Sequence, residues 1–131
     1  MDTPVPVILL NARNAETLAY LEPQSCHGDI IEPLSLILQD YPEVDWFCPE
    51  PATFRYCFWY RGRTIFACAA GMHDVSFRLP RVKRGLAESL GEFVAERDGE
   101  AWFAFKYDHE RLGEFARIAY DFAPGASTVL A

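Results

Sequence analysis

Apolar residues recur at every second position between residues 53 and 79, and this period of two constrains the fold more than any other feature of the chain. Three runs share the pattern: TFRYCFWY (53–60), RTIFACAA (63–70) and VSFRL (75–79). The dipeptide Arg61-Gly62 separates the first two runs, and a glycine there can supply the positive φ of a tight hairpin. The pattern therefore predicts three antiparallel strands that follow one another as a meander.

The first and third of these strands differ in their expected exposure. Both faces of the first strand are largely apolar, which favours a position inside the sheet. In the third strand, the polar residues Ser76 and Arg78 alternate with Val75, Phe77 and Leu79. This alternation predicts a strand with one face open to solvent.

Helical spacing of apolar residues flanks the meander on both sides. The predicted helices run between residues that start or stop a helix: Asn14 to Pro23, about Glu32 to Pro42, Pro80 to Gly91, and Asp108 to Pro124. Phe93 continues the apolar stripe of the third helix beyond Gly91. The run GEAWFAFKY (99–107) predicts a fourth strand, while the proline-rich run PEVDWFCPEPAT (42–53) predicts an extended connection.

Together these elements predict an α+β fold. We expect an antiparallel sheet, made of the three-strand meander and the later strand, with helices packed on one side. The length of 131 residues fits a single domain, residues 1–131. Residues 1–13 and 124–131 have the least sequence support for regular structure, so we expect poor order at both ends.

The N-terminal sequence MDTPVPVILLNARN has no basic leader, and prolines interrupt its short apolar run. It resembles neither a signal peptide nor a membrane span, so we expect a cytoplasmic protein with no membrane partner. Half of the residues are hydrophobic and 24% are charged, as in ordinary soluble globular proteins.

The four cysteines are Cys26, Cys48, Cys57 and Cys68, and no two have the C-x-x-C spacing. In a cytoplasmic protein this favours reduced, mostly buried thiols over disulfides. A metal site built on Cys26, His27 and Cys48 is the alternative, but neighbouring residues rarely both face one ion. We therefore expect no metal and no cofactor.

The tetrapeptide Gly71-Met72-His73-Asp74 is the polar segment that could contain a catalytic or binding site, because a carboxylate beside an imidazole can make the imidazole a general base. Residues adjacent in sequence seldom reach that geometry, and these residue types are typical of a turn. We prefer the turn and keep His73 and Asp74 as a secondary site hypothesis. Glu96, Asp98 and Glu100, which surround Gly99, are likewise expected in a solvated turn.

Charge is distributed unevenly along the chain, whose net charge is −7. Residues 1–52 contain nine acidic and one basic residue, residues 53–84 one acidic and seven basic, and residues 85–131 nine acidic and four basic. One interpretation is that the acidic flanks neutralise the basic middle within the fold. The other is an exposed basic face for an anion, nucleic acid included, although the overall acidity argues against tight nonspecific binding.

Six basic residues near the predicted strand ends are candidates for such a face. They are Arg61 and Arg63 at the hairpin tip, and Arg78, Arg81, Lys83 and Arg84 at the junction of the third strand with its helix. We predict these residues as a binding surface, and their alternative role is to keep a sheet edge and a helix surface soluble.

From residue 53 to residue 122, the order of elements resembles the core of the YjbR/TfoX N-terminal-like family. The matching residues are Gly62, Phe66, Ala67, Phe77, Leu79 and Trp102. The first 50 residues depart from the single leading helix expected for that family. The resemblance implies an α+β fold, a DNA-binding-like arrangement in some members and no secure enzymatic activity, and it transfers no catalytic residue.

Complete catalytic motifs are missing from the sequence. It contains no G-x-S-x-G and no G-x-G-x-x-G, and His109-Glu110 lacks the second histidine of a zinc-binding helix. We therefore favour a small non-enzymatic binding domain for nucleic acid or a regulatory partner. The alternative hypothesis is an acidic immunity-like or chaperone-like protein whose N-terminal half binds a basic protein partner.

Overall fold

The computed structural model describes residues 4–26, 30–49, 55–71, 73–80 and 83–123. The helices in these residues are α1 (Ala15–Leu21), α2 (Ile31–Leu38), α3 (Arg84–Leu90) and α4 (Leu112–Phe122), and a 3₁₀ turn spans Val7–Leu9. The strands are β1 (Val44–Phe47), β2 (Cys57–Arg61), β3 (Thr64–Ala69), β4 (Asp74–Leu79), β5 (Glu92–Arg97) and β6 (Glu100–Lys106). All six strands form one antiparallel sheet in the order β1-β2-β3-β4-β6-β5, so the predicted α+β class is confirmed.

The meander of β2, β3 and β4 and the later strand β6 agree with the sequence pattern, but two further strands do not appear in it. β1 lies within the proline-rich run that the sequence assigns to an extended connection. β5 contains Phe93, which the apolar spacing assigns to the end of a helix. These two strands form the opposite edges of the sheet.

Gly91 explains why the chain passes from α3 directly into β5. Its backbone N–H donates to the carbonyl oxygen of Ala87 at 2.7 Å, which ends the helix where the sequence predicts. A Cβ at this position would lie 2.5 Å from Cε2 of Phe105. The backbone therefore lies directly against β6, and Phe93 pairs with Phe103 as part of a strand.

Two tight turns connect neighbouring strands. The β2–β3 turn comes one residue later than predicted, because Arg61 still pairs with Thr64 and the turn consists of residues 62–63. Gly62 has the positive φ, 60°, that the hairpin requires. The β5–β6 turn is Asp98-Gly99, with φ of 57° and 79°, the combination found in two-residue type I′ hairpins.

A β-bulge in β3 breaks the strict alternation that the sequence predicts for this strand. Tyr60 pairs with Ile65 and Trp59 pairs with Ala67, which leaves Phe66 as an extra residue. Ile65 belongs to one apolar cluster, whereas Phe66 and Ala67 both belong to the other. The bulge thus moves the aromatic ring of Phe66 to the face of the sheet that α4 covers, where it contacts Tyr120.

The sheet separates two apolar clusters. The larger cluster includes Trp59 and Phe77 of the sheet together with residues of α2, α3 and α4. The smaller cluster includes Phe58 and Trp102, which point to the opposite face, together with Leu21 of α1 and part of the 3₁₀ turn. Since helices contribute to both clusters, the prediction that all helices pack on one side is not confirmed.

Arg78 is fully buried, which corrects the prediction that β4 exposes this residue to solvent. Its Nε donates to the backbone oxygen of Ile65 at 2.9 Å, and its Nη1 donates to the backbone oxygen of Arg13 at 3.0 Å. Nη1 also lies 2.8 Å from Oε1 of Glu100, and Nη2 lies 3.8 Å from Oδ2 of Asp98. Burial lowers the pKa of Arg78 and the hydrogen bond to Glu100 acts in the opposite direction, so the guanidinium stays charged.

Asp98 connects the buried arginine to the start of α1. Its Oδ1 accepts the backbone N–H of Glu16 at 2.8 Å, and its Oδ2 accepts the N–H and the hydroxyl of Thr17 at 3.1 and 2.9 Å. Glu16 accepts the N–H of Asp98 in return. The side chain that the sequence places in a solvated turn is therefore a helix cap, which satisfies the first amides of α1 and complements the helix dipole.

Asn14 precedes α1, as predicted, but its side chain does not cap the helix. Its Oδ1 accepts the backbone N–H of Ile65 at 3.1 Å, and its Nδ2 donates to the carbonyl oxygens of Leu9 and Arg63 at 3.0 and 2.8 Å. Leu9 is fully buried. From Pro4 onward, the N-terminal segment for which we expected poor order is thus attached to β3, while residues 1–3 and 124–131 lie outside the described residues.

We expect Arg78→Leu to lower the free energy of unfolding by about 3–5 kcal/mol, because it leaves the buried carboxylate of Asp98 without its cation. Urea denaturation followed by circular dichroism measures the loss. The control is Arg84→Ala, which removes an exposed ion pair with Glu88 and is expected to cost less than about 1 kcal/mol. Equal costs for the two variants would contradict the structural role of the buried guanidinium.

We expect Gly91→Ala to cost about 1–3 kcal/mol of unfolding free energy, because the added methyl group overlaps the ring of Phe105. The matched control is Gly85→Ala in α3, where an added Cβ meets no atom within 4 Å. Alanine favours the helix there, so this variant should gain up to about 1 kcal/mol. Opposite signs in the same urea experiment are the expected result, and a neutral Gly91→Ala would show that the close approach is absent.

Candidate binding surface

A groove with a volume of about 380 Å³ lies between α2 and the edge strand β1. The lining residues are Glu32, Ser35, Leu36, Leu38, Gln39, Val44, Trp46 and Trp59. Leu38 and Trp59 are buried and form its floor, whereas Leu36 and Trp46 are 56% and 58% exposed and form its sides. A cavity of this size can accept a small molecule or the side chains of a peptide.

The local sequence explains why the groove has apolar sides. In α2, Leu34 and Leu38 are four residues apart and bury the same helix face, so Leu36 between them lies away from that face. In β1, alternate side chains lie on opposite faces of the sheet. Phe47 therefore packs in the smaller cluster, while Trp46 faces the groove.

Acidic residues occur in the two elements that form this groove and in the segment between them. The described residues 30–49 contain Glu32, Asp40, Glu43 and Asp45 and no lysine, arginine or histidine. Glu43 is 70% exposed in its side chain and forms an ion pair of 3.2 Å with Arg61, which neutralises one of the four charges. The groove together with Asp40, Glu43 and Asp45, which we call the acidic groove, thus has a net negative charge.

β1 is a regular edge strand. Its four residues pair with β2 in unbroken register, from Val44 with Arg61 to Phe47 with Phe58. The opposite edge, β5, contains a bulge between Phe93 and Ala95. The guanidinium of Arg84 also lies 5.1 Å from the ring centroid of Phe93 in that strand. Bulges and nearby cations discourage the addition of further strands. Among the described residues, β1 is therefore the edge whose geometry is more open to pairing.

Two of the six predicted basic binding residues are held within the fold. Arg78 is buried beneath α1, as described above. The Nη1 of Arg61 donates to the carbonyl oxygen of Tyr120 at 3.1 Å, and its guanidinium lies 4.0 Å from the Tyr120 ring centroid. Since Arg61 also pairs with Glu43 and Arg78 pairs with Glu100, the basic middle contacts both acidic flanks, as the first interpretation of the charge pattern expects.

Three other members of the predicted basic surface, Arg63, Lys83 and Arg84, are exposed. Lys83 precedes α3 and Arg84 is its first residue, so these two lie together. Arg84 forms an exposed ion pair of 3.4 Å with Glu88. Arg81 lies outside the described residues. Ligand binding by this group stays a prediction, and Arg78 does not share its surface.

His73 and Asp74 contribute to the sheet through their backbones. The carbonyl oxygen of His73 accepts the N–H of Tyr107 at 2.9 Å, and Asp74 begins β4 opposite Lys106. Gly71 has a φ of 97°, the conformation for which a turn uses glycine. The catalytic-pair hypothesis for His73 and Asp74 stays a prediction.

The four cysteines are thiols and form no disulfide, and three of them are buried: Cys26, Cys57 and Cys68. Burial raises the pKa of Cys26 and Cys68 to about 11 and also raises the pKa of Cys57. Within the described residues, no group of three or more histidine, cysteine or acidic side chains could hold a metal ion. His27, part of the alternative metal site, lies outside those residues.

Some features of the acidic groove can be predicted from the sequence, and others cannot. The joint occurrence of acids, Trp46 and Phe47 in the run 42–53 is a signal that we interpret as an extended connection, without assigning it a strand or a surface. Leu36 departs from the apolar stripe of α2, and an apolar residue off the stripe indicates exposure. What the sequence could not supply is the proximity of α2 to β1, because that depends on tertiary packing.

No protein-family model, curated protein or solved structure matches this chain. The resemblance to the YjbR/TfoX N-terminal-like family therefore stays a prediction. Among the helices of the described residues, none has both the length and the apolar character needed to cross a membrane.

We expect Cys26 and Cys68 to react with iodoacetamide at about pH 8 at least roughly a hundredfold more slowly in the folded protein than in guanidinium chloride. A pKa raised to about 11, against 9.0 for an ordinary thiol, lowers the thiolate fraction by that factor, and burial also restricts access. Mass spectrometry of the labelled peptides measures each rate. Because the pKa values of these thiols are higher in the folded state, their contribution to the free energy of unfolding should be constant below pH 9 and fall as the pH rises toward 11.

The half-buried Cys48 serves as the comparison within the same sample and is expected to react faster than the three buried thiols. Rapid labelling of Cys57 in the folded protein would contradict the closed packing of the larger cluster.

Proposed function

We propose that this protein is a non-enzymatic, cytoplasmic binding module that accepts a basic segment of a protein partner in the acidic groove. The observation that carries the proposal is the combination of two exposed apolar side chains, Leu36 and Trp46, with an excess of carboxylates in the elements that form the groove. Aromatic residues at the centre of a site and charges at its rim are characteristic of protein-binding surfaces. The four thiols suit a reducing compartment.

Charge complementarity supports a basic partner. Residues 30–49 contribute four carboxylates, and among the described residues they form one ion pair, that of Glu43 with Arg61. A lysine or arginine of the partner can also lie over the exposed ring of Trp46 as a cation–π contact. The net charge of −7 adds a long-range attraction that raises the rate of encounter with a basic protein and weakens with salt.

The backbone at the start of β1 gives the proposal a second support. Glu43 has a φ of 67°, a conformation that residues other than glycine rarely adopt. Such conformations are costly and occur preferentially at binding and catalytic sites. Here the turn at Glu43 brings β1 back beside α2 and thereby forms the groove.

The nucleic-acid hypothesis receives less support from the described residues. Arg78 is buried and Arg61 is bound to Tyr120 and Glu43, so neither is available to a phosphate backbone. Arg63, Lys83 and Arg84 stay as candidates, but Arg84 already pairs with Glu88. A protein with a net charge of −7 is also repelled by a polyanion outside any local basic patch.

The proposal can be tested with a peptide probe of alternating residues, acetyl-Lys-Val-Lys-Leu-Lys-Val-Lys-amide, and its twin in which glutamate replaces every lysine. Fluorescence of Trp46, the exposed member of the three tryptophans, reports binding, since Trp59 and Trp102 are buried. We expect the lysine peptide to bind at low ionic strength and the glutamate peptide not to bind. Binding should weaken as salt is added.

The discriminating variant is the double reversal Glu32→Lys with Asp45→Lys, which is expected to weaken binding by about tenfold or more, because each reversal replaces an attraction by a repulsion. The matched control reverses two exposed acids on the other edge strand, Glu92→Lys with Glu96→Lys, and changes the net charge equally. Equal effects of the two double variants would leave only nonspecific attraction and would overturn the proposal.

A DNA duplex titrated under the same conditions provides the second arm of the test. DNA binding that disappears in the triple variant Arg81→Ala, Lys83→Ala and Arg84→Ala, together with no binding of the lysine peptide, would favour the nucleic-acid hypothesis instead.

A further inference from the structure

We infer that the partner segment binds as an added β-strand along β1, with apolar residues toward α2 and basic residues toward the opposite face. This inference rests on the proposed function and goes beyond it, because it states the conformation of the partner and the period of its sequence. Its basis is the register of β1, the two-sided chemistry of that strand and the open groove beside it.

The edge position of β1 supplies the backbone groups. β1 pairs with β2 on one side, and no other strand of the described residues pairs with it on the other side. In an antiparallel sheet, alternate residues point their N–H and C=O groups to opposite neighbours, so half of the β1 backbone faces outward. An extended peptide can satisfy these groups in the way that edge-binding domains take their ligands.

The side chains of β1 present different chemistry on the two faces of the sheet. Val44 and Trp46 line the groove beside α2. Asp45 points the other way, since it lies between them in the strand and pairs with Tyr60, whose ring belongs to the edge of the smaller cluster. Asp45 is exposed, and its negative charge contributes to the raised pKa of Tyr60 after the larger effect of burial.

These two faces determine what an added strand should carry. A residue opposite Asp45 places its side chain on the same face as this carboxylate, where a lysine or arginine is favoured. Residues opposite Val44 and Trp46 place theirs toward α2, where Leu36 and the groove of about 380 Å³ can accept aliphatic groups. The partner sequence is therefore expected to alternate apolar and basic residues over at least the four positions of β1.

A second copy of this chain fits the same edge less well. An antiparallel pair of two β1 strands would bring the stretch 30–49 of each copy together, and this stretch has four acids and no base. Like charges placed opposite each other across a strand pair are destabilising. β5, the other edge, has a bulge that disturbs a regular register. Charge thus selects a basic segment from another protein.

The test uses backbone N-methylation, which removes an amide donor and blocks strand pairing while the side chains and the charge stay the same. Two forms of the lysine peptide are compared with the parent: one is methylated on the amides of its valines and leucine, the other on the amides of its lysines. Since amides of alternate residues point to opposite edges, each form blocks one edge of the peptide.

If the peptide adds to β1, one methylated form should bind at least tenfold more weakly than the parent and the other should bind within about threefold of it. Nuclear magnetic resonance adds a second measurement. Amide protons of β1 should gain protection from exchange with the parent peptide and with the form that still binds.

The variant Trp46→Ala separates the contribution of the groove to peptide affinity from that of the backbone hydrogen bonds. Calorimetry measures the affinity of each peptide for this variant. Trp46 is 58% exposed, so the variant is expected to fold. It should weaken the alternating peptide at least tenfold, but it should affect less a control peptide in which the same residues are ordered Lys-Lys-Val-Leu-Val-Lys-Lys. Equal losses for the two peptides would count against an alternating fit.

Two outcomes overturn the inference. The two methylated forms could bind equally, whether as tightly as the parent or equally weakly, which excludes an edge-specific strand. The protein could sediment as a dimer that does not bind the peptide, which would assign the edge to a second copy. If the parent peptide binds and responds to Glu32→Lys with Asp45→Lys but ignores methylation, the proposed function stands and the strand addition fails.

Discussion

The buried guanidinium of Arg78 joins parts of the chain that are far apart in sequence. It binds the backbone before α1, the backbone of β3 and the carboxylates at the β5–β6 turn. A cation enclosed in this way is tolerated only when anions and carbonyl oxygens surround it, so the positions of Asp98 and Glu100 follow from its presence. The uneven charge pattern of the sequence is thus partly explained by ion pairs inside the fold.

Among the described residues, the carboxylates of α2, β1 and the segment between them form one ion pair, that of Glu43 with Arg61. Glu32, Asp40, Glu43 and Asp45 thus lie in or next to α2 and an edge strand that also exposes a tryptophan. Most edge strands are protected from pairing by bulges, prolines or inward charges. In the proposed binding mode, the carboxylates repel acidic chains and a second copy of this protein, and they attract a strand of opposite charge.

Sequence reasoning succeeded where a pattern depends on local alternation and failed where tertiary contacts override it. The period of two predicts β2, β3, β4 and β6, because each of these strands has at least five residues, enough for an alternation to be recognised in the sequence. β1 consists of four residues and lies between Pro42 and Pro49, and four residues are too few for a period of two to be recognised. Phe93 lies in a strand because Gly91 packs closely against Phe105. Arg78 is buried because it pairs with acids that are 20 or more residues away in the sequence. A local sequence pattern contains neither contact.

The cap of α1 has a consequence for the order in which the protein folds. Asp98 and the amide that it receives from Glu16 are 82 residues apart. A seven-residue helix is marginal on its own, and its capping group arrives only after the β5–β6 hairpin has closed. The N-terminal segment should therefore dock late, onto a sheet that is already assembled, and Trp102 on that face of the sheet would stay exposed until the segment docks.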